Sequence, residues 1–140
     1  MANVLYSKGR QKFLEGSIHW LTDTIKVCFI DTANYTFSDT HEFLSDVIGS
    51  PDPRVGTDQT LATKTSTSGV ADAADAVFPS VTGASVEAMI IYKDSDASPQ
   101  DEASCPLIAY LDSAAGLPFT PAGIDQTVVW DNGANKIFKL

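Results

Sequence analysis

The sequence lacks the features that would place the chain in a membrane or on nucleic acid. No apolar run approaches the roughly 20 residues needed to span a bilayer. Residues 1–20 carry Lys8, Arg10, Lys12 and Glu15, which makes them too polar for a signal peptide. Only 9 Lys and Arg oppose 18 Asp and Glu, and the net charge of -9 would repel a phosphate backbone. We therefore expect residence in a cytoplasm, with neither membrane nor nucleic acid as a partner.

Sequence patterns typical of catalysis and metal binding are also missing. His19 and His41 stand alone, and Cys28 and Cys105 do not have the spacing of a zinc site. The chain contains no G-x-x-x-x-G-K-[ST], G-x-G-x-x-G or G-x-S-x-G. Its paired aspartates are better explained as turn residues than as acid-base pairs. We expect no enzyme activity, no cofactor and two free, largely buried thiols.

One stretch of the chain, residues 94–102, is rich in carboxylates. It contains Asp94, Asp96, Asp101 and Glu102 among Ser, Ala and Pro residues. The regular D-x-D-x-D-G spacing of a calcium loop and its bidentate Glu are absent. The pattern predicts an exposed acidic loop, with calcium binding as the minor alternative.

What the sequence does contain is a series of short β patterns, of which residues 84–94 form the clearest. Ile90 and Tyr92 alternate with Met89 and Ile91, and charged residues stand only near the ends of the stretch. An apolar centre on both sides is typical of a central strand that is covered on both faces. Residues 24–31 and 106–112 show similar alternation and are predicted to be further strands.

The remaining patterns complete the prediction of one domain over residues 1–140. Edge strands are predicted at 54–57 and 61–67, another strand at 75–81, and short helices at 8–15 and 41–47. Asn132 and Gly133 predict a hairpin that joins strand 126–130 to strand 135–140. The sum is an all-β fold, an antiparallel sandwich or barrel of about seven to nine short strands with one or two short helices.

The N-terminal segment carries the one basic cluster of this acidic chain. Lys8, Arg10 and Lys12 lie on the first predicted helix. Two interpretations stay open: a solvated helix face, or contact with an acidic partner surface. Residues 1–17 are accordingly a candidate contact arm, either extended or helical.

Several stretches resemble small virion structural proteins of tailed bacteriophages, and together they cover the full length. They are Tyr-Ser-Lys-Gly-Arg-Gln-Lys-Phe-Leu-Glu-Gly at 6–16 with its continuation at 20–27, His-Glu-Phe-Leu-Ser-Asp at 41–46, Ile-Ile-Tyr-Lys-Asp at 90–94, and residues 129–140. The resemblance implies a head decoration, or cement, protein. Such a protein binds the outer capsid surface as a homo-oligomer, bridges major capsid subunits and assembles in the bacterial cytoplasm.

The resemblance brings no catalytic residues with it, so only contact residues are predicted. The candidates lie in the N-terminal segment, in the region 54–69, on the central strand and at the C-terminal end: Lys8, Arg10, Lys12, Phe13, Trp20, Arg54, Ile91 and Phe138. Two alternatives stay open. A tail or neck subunit would share this composition, whereas a glycan-binding fibre module would expose Tyr35, Tyr110 and Trp130.

Overall fold

A computed structural model describes residues 3–114 and 116–140 and shows a mostly β protein with antiparallel sheets and one α-helix. Short 3-10 turns occupy Leu44–Asp46, Thr67–Gly69 and Glu102–Ser104. The helix and strands are, in chain order, β1 Val4–Leu5, α1 Ser7–Leu14, β2 Ile25–Ile30, β3 Arg54–Thr60, β4 Val70–Ala71, β5 Ala76–Phe78, β6 Ala88–Lys93, β7 Leu107–Leu111, β8 Gln126–Val128 and β9 Phe138–Lys139.

Five strands form the main sheet in the order β1-β7-β6-β2-β3, with every neighbouring pair antiparallel. Strand β6 lies at the centre, where Ile90 pairs with Cys28 on one side and Tyr110 on the other. Its first five residues are buried. The sequence prediction of a central strand with two apolar faces is confirmed, and an apolar sequence on both sides is what burial of both faces requires.

The two faces of this sheet bury different side chains. One, here the tryptophan face, carries Val27, Phe29, Met89 and Ile91 in a core that also contains Trp20 and Trp130. The other, the tyrosine face, carries Cys28, Ile90 and Leu107 in a core that contains all four tyrosines, Tyr6, Tyr35, Tyr92 and Tyr110. The period of two in β2 and β6 sends alternate residues to opposite faces, so the sequence determines both cores together.

Two small antiparallel ladders cover the tryptophan face. Strand β4 pairs with β9, and β5 pairs with β8, and each ladder sends residues into the same core. Phe78 of β5 stacks on Phe29 of β2 with ring centroids 3.8 Å apart. None of the sheets is closed.

The tyrosine face is covered by Tyr6, which precedes helix α1, and by the segment of residues 31–48, which we call the strap. Tyr35, Leu44 and Val47 come from the strap, whereas Phe13 of α1 packs against the other core. Gly9 of α1 is buried because the helix crosses β7 closely there: a Cβ at this position would lie 2.5 Å from the carbonyl oxygen of Leu107. A glycine that weakens the helix locally is therefore required by its packing.

The predicted helix at 41–47 is wrong. Only Leu44–Asp46 form a 3-10 turn, and Phe43 is extended and bridges to Pro106. The Leu44 N–H donates to the Cys105 carbonyl. Residues 43 and 44 thus pair with residues 105 and 106, which precede β7, and these bonds replace the helical hydrogen bonds that the spacing of the apolar residues suggested.

The predicted hairpin at Asn132 and Gly133 is also wrong. Strand β8 pairs with β5 and strand β9 pairs with β4, so the strands that flank this turn belong to different ladders. The strand expected at 61–67 is reduced to a single bridge between Thr65 and Asp72. At the hairpin, pairing with distant strands overrides the local turn signal.

Candidate interaction surfaces

One of the three basic residues of helix α1 is bonded to the strap. Lys12 Nζ lies 2.7 Å from Glu42 Oε1 and 5.0 Å from the centre of the Phe43 ring. The guanidinium of Arg10 donates to Ser7 Oγ at 3.1 Å. Lys8 and Arg10 are exposed, whereas Lys12 is half-buried. The structure thus divides the predicted cluster: Lys12 ties the helix to the body, and Lys8 and Arg10 remain accessible to a partner.

Two aspartates of the strap fix the start of the helix and the turn beside it. The Ser7 N–H and hydroxyl both donate to the Asp39 carboxylate, and the pKa of Asp39 is lowered by these bonds. The Phe43 and Glu42 N–H groups donate to Asp46, which lowers its pKa as well. The Ser7 side chain therefore bonds to the strap and does not cap the helix.

The candidate contact arm packs against the body over the part that the structure describes. Strand β1 pairs with β7, and the Tyr6 side chain is fully buried. Met1 and Ala2 lie outside the described residues. The accessible side of this segment is therefore the outer surface of α1 and the open edge of β1.

Three predicted contact residues form an aromatic cluster at the edge of the tryptophan-face core. The Phe138 ring lies 5.1 Å from the Trp20 ring and 6.0 Å from the Phe13 ring, measured between centroids. The Trp20 indole N–H donates to the Thr65 carbonyl at 2.9 Å. Trp20 and Phe138 are buried and Phe13 is half-buried. Their role in this conformation is to hold α1, residues 17–24 and β9 together.

Ile91 needs a correction. Its exposed fraction is 0%, and it packs in the chain's own core between β2 and β7. The sequence analysis placed it on a face that a second chain could cover. The small ladders of the same chain cover that face instead, so Ile91 offers no surface to a partner.

Arg54 lies at the other edge of the main sheet, on β3, between two carboxylates. Its Nη2 is 3.0 Å from Asp52 and its Nη1 is 3.1 Å from Asp58. Tyr92 also donates to Asp58 from beneath the strand. The register of β2 and β3 shifts here, and Gly56 has a φ of 77°. A bulged edge that carries paired charges resists the addition of another strand.

A groove of about 630 Å³ lies between the N-terminal and C-terminal segments. Leu5, Ala109 and Leu111 line it from β1 and β7, and residues 135–140 line its other side. Arg10, Lys136 and Lys139 also line it. The sequence analysis did not find this groove, because its two sides come from opposite ends of the chain.

The predicted acidic loop is partly bonded within itself and to β2. Asp94 is buried, lies 3.1 Å from Lys26 Nζ and accepts from Gln100 at 2.9 Å. Asp101 accepts from the Ala103 N–H and the Ser104 hydroxyl. Among residues 3–114 and 116–140, no three His, Cys, Asp or Glu side chains are placed to hold a metal ion. Asp96 and Asp101 are exposed, as predicted for a loop.

Exposed apolar side chains on the β5–β8 ladder form a second surface that the sequence analysis missed. Val77 is 48% exposed and pairs with Thr127, and Val129, two residues further on, is 62% exposed. Ile124, which is 60% exposed, precedes the same ladder. Alternation along 126–130 was the available signal, since Val128 and Trp130 are buried while Thr127 and Val129 are exposed.

The tyrosine-face core contains a chain of hydrogen-bonded hydroxyls. Tyr6 and Tyr35 share a hydrogen bond of 2.9 Å, and the Tyr35 hydroxyl lies 2.8 Å from His41 Nδ1. Burial raises the pKa of Tyr35 to about 12 and raises the pKa of Tyr6 further, with Tyr35 as the second cause. These groups are satisfied by one another, as buried polar groups must be.

The glycan-binding alternative required three exposed aromatic side chains, and the structure buries all three. Tyr35, Tyr110 and Trp130 are all buried, and the Trp130 indole N–H donates to the Ala74 carbonyl. A sugar ring needs an accessible aromatic face for stacking. These three side chains present no such face in this conformation.

Comparison with known proteins leaves the function to be inferred from the chain itself. No protein-family model matches the chain, and a search of curated proteins returns no match. In the described part of the chain, no helix is long and apolar enough to cross a membrane. The structure thus defines a mostly β protein whose accessible surfaces include the groove between the terminal segments, the outside of the β5–β8 ladder, and the acidic loop.

Proposed function

We propose that this protein is a structural component of a phage virion that binds the outer surface of the head, bridges major capsid subunits and stabilises the shell. The resemblance of the sequence to small virion structural proteins supports this function. In this proposal the protein is a homo-oligomer that assembles on heads in the bacterial cytoplasm and ends in the virion. It acts by binding alone, without catalysis or a cofactor.

A sandwich is the architecture that fits this role, and we propose it for the fold. The five-stranded sheet forms one layer, and the two small ladders that bury Phe78, Val128 and Phe138 against it form the second. Two layers packed through one core make a rigid body. Rigidity favours a protein that must hold neighbouring subunits in a fixed geometry.

The observation that carries the proposal is the exposed apolar surface of the β5–β8 ladder. Val77 on β5, Val129 just after β8 and Ile124 before it each expose about half or more of their surface, whereas Phe78 and Val128 of the ladder are packed into the core. Contiguous exposed apolar groups on a rigid element are typical of protein-protein contacts. This surface is the candidate for contact with the capsid, and Val77, Ile124 and Val129 are not among the residues that line the groove.

Cryo-electron microscopy of purified virions tests the location. We expect density for this fold on the outside of the head, at junctions between capsid subunits, with the β5–β8 ladder towards the shell. Density in the neck, or six-fold rings in the tail, would contradict the head assignment and support the tail or neck alternative.

Variants then test the surface. Val77→Glu with Val129→Glu should abolish co-sedimentation with heads, because two charges would be desolvated at the interface. Leu14→Glu is the matched control, since Leu14 is 89% exposed but lies on α1. Loss of binding in the control alone would place the contact on the helix.

A further inference from the structure

The groove between the terminal segments is basic although the chain as a whole is acidic. Arg10, Lys136 and Lys139 line it, and Asp131 is the only Asp or Glu among the described residues that do so. Lys136 is paired with Asp72 at 3.0 Å. Arg10 and Lys139 are exposed, and neither forms an ion pair within the described residues. Two cations are therefore available to an incoming anionic group.

The lining of the groove also suits an extended segment of polypeptide. Leu5 contributes a half-buried apolar side chain to it, beside the buried Ala109 and Leu111. Among the described residues, β1 pairs only with β7 and β9 pairs only with β4, so each keeps one open edge. Backbone pairing at an open strand edge, with side chains in apolar contact, is a recurring mode of peptide binding.

The acidic loop of a second copy has the complementary charge. Asp96 and Asp101 are exposed and Glu102 is half-buried, and none of the three forms an ion pair in the described part of the chain. The loop precedes β7, whereas the groove is lined by Ala109 and Leu111 further along that strand, about 7 and 14 Å from Leu107 at 3.4 Å per residue. Among the described residues, none of the loop lines the groove of its own chain, so the groove is open to the loop of a second copy.

We propose that this protein self-associates head to tail, with the acidic loop 94–102 of one copy bound in the basic groove of the next. The contact is heterologous, so each copy keeps one loop and one groove for its neighbours, and repetition gives a ring or a chain of subunits. The inference rests on the homo-oligomer of the proposed function and gives it a specific interface.

Charge reversal on each side tests the interface in the isolated protein. The groove variant carries Arg10→Glu and Lys139→Glu, and the loop variant carries Asp96→Lys and Glu102→Lys. Asp101 is left unchanged because its carboxylate accepts bonds from Ala103 and Ser104. Sedimentation velocity measures association at low and high salt, and far-UV circular dichroism checks that each variant is folded.

We expect the wild-type chain to associate at low salt and to dissociate as screening increases. Each variant alone should raise the apparent Kd more than tenfold. An equimolar mixture of the two should regain association, because the reversed groove then faces a reversed loop. Lys8→Glu and Glu15→Lys are the charge-reversal controls, since neither residue lines the groove or belongs to the loop, and both should associate as the wild type does.

Several results would overturn the inference. They are a wild-type chain that stays monomeric at low salt, association that survives in both variants, or a mixture that fails to associate. A monomeric wild type that binds a poly-glutamate peptide through Arg10 and Lys139 would assign the groove to a different acidic partner. Head binding is measured separately by co-sedimentation, so a wild-type chain that stays monomeric in solution but still binds heads contradicts this interface alone.

Discussion

The two faces of the central sheet solve the same packing problem with different chemistry. Both tryptophans and most phenylalanines lie on one face, where two β ladders meet the sheet. All four tyrosines and both free cysteines lie on the other, where one helix and the strap meet it. The strands of a ladder satisfy the hydrogen bonds of each other's backbone, so a ladder can pack against the sheet with apolar side chains only. The irregular strap must satisfy polar groups, and the buried hydroxyls and aspartates do so.

The different coverings of the two faces determine where the accessible binding surfaces lie. The tryptophan face ends in ladders whose outer sides remain exposed, and the candidate capsid surface lies there. The tyrosine face is tied by bonds from Asp39, Asp46 and Glu42 to the helix and to backbone groups beside it. We infer that binding surfaces belong to the ladders and to the groove, whereas the strap serves to hold α1 in place.

The largest expected effect comes from a charge in the middle of β6. Ile91→Asp on the tryptophan face and Ile90→Asp on the tyrosine face should both unfold the protein. Both side chains are 0% exposed, and an unpaired buried charge costs more than the roughly 5–15 kcal/mol that a domain has. Circular dichroism and sedimentation of the purified variants measure this.

Val77→Asp is the control for these variants, because Val77 is also an apolar strand residue but is exposed on the β5–β8 ladder. It should fold and remain within about 1 kcal/mol of the wild type. A folded Ile91→Asp variant that only lost self-association would return Ile91 to the set of partner contacts and would show that the tryptophan face opens.

The second effect is specific to the tryptophan face. Phe29→Ala should lower the free energy of unfolding by about 3–5 kcal/mol, because the stacked Phe78 ring and the edge-on Phe119 ring lose their partner. Urea unfolding followed by tryptophan fluorescence measures it. Val129→Ala, at an exposed position of the same core layer, should change the free energy by less than about 0.5 kcal/mol. A small effect of Phe29→Ala would mean that the ladders are not packed on the sheet.

The third effect tests the tyrosine face through helix α1. Helix propensity alone predicts that Gly9→Ala stabilises the protein by up to about 1 kcal/mol. The structure predicts the opposite sign, a loss of about 2–3 kcal/mol, because the new Cβ would meet the Leu107 carbonyl at 2.5 Å. Chemical denaturation measures the sign. Gln11→Ala, an exposed change on the same helix, is the control and should be neutral or slightly stabilising, and a stabilised Gly9→Ala would show that α1 does not cross β7 closely.

The central part of the fold could be predicted from the sequence because it depends on local alternation. Residues 24–31, 84–94 and 106–112 contain the strands β2, β6 and β7, and their period of two assigned Val27 and Phe29 to one face correctly. The same alternation could not identify partners outside the centre. Asn132 and Gly133 signal a turn, but β8 and β9 pair with strands more than 40 residues away along the chain. The packing of the whole fold, and not the turn signal, determines which distant strand each of them pairs with.

The candidate surfaces were predictable only where a single stretch of sequence contains them. The acidic loop was found, since its charges are contiguous. The groove was not, because Leu5, Ala109 and Lys139 meet only after β1 and β9 have docked beside β7. The ion pair of Lys12 could not be predicted either, since its partner Glu42 is 30 positions away in sequence. Exposure depends on such long-range pairs, which composition and periodicity do not contain.

The smallest expected effect separates the two faces by pH. The pKa of every tyrosine is raised, to about 12 for Tyr35, mainly because burial disfavours the phenolate. A raised folded pKa contributes stability that is fully present below pH 10, the usual tyrosine pKa, and is lost as the pH rises towards 12. Alkaline titration should therefore show tyrosinate absorbance at 295 nm appearing late and together with the change in tryptophan fluorescence.

Tyr35→Phe should lower stability at pH 7 by about 1–2 kcal/mol, since the buried Tyr6 hydroxyl loses its partner, and should reduce the loss of stability above pH 10. Tyrosines that titrate near pH 10 while tryptophan fluorescence stays native would contradict this prediction, because the tyrosine face would then open on its own while the ladders stay packed.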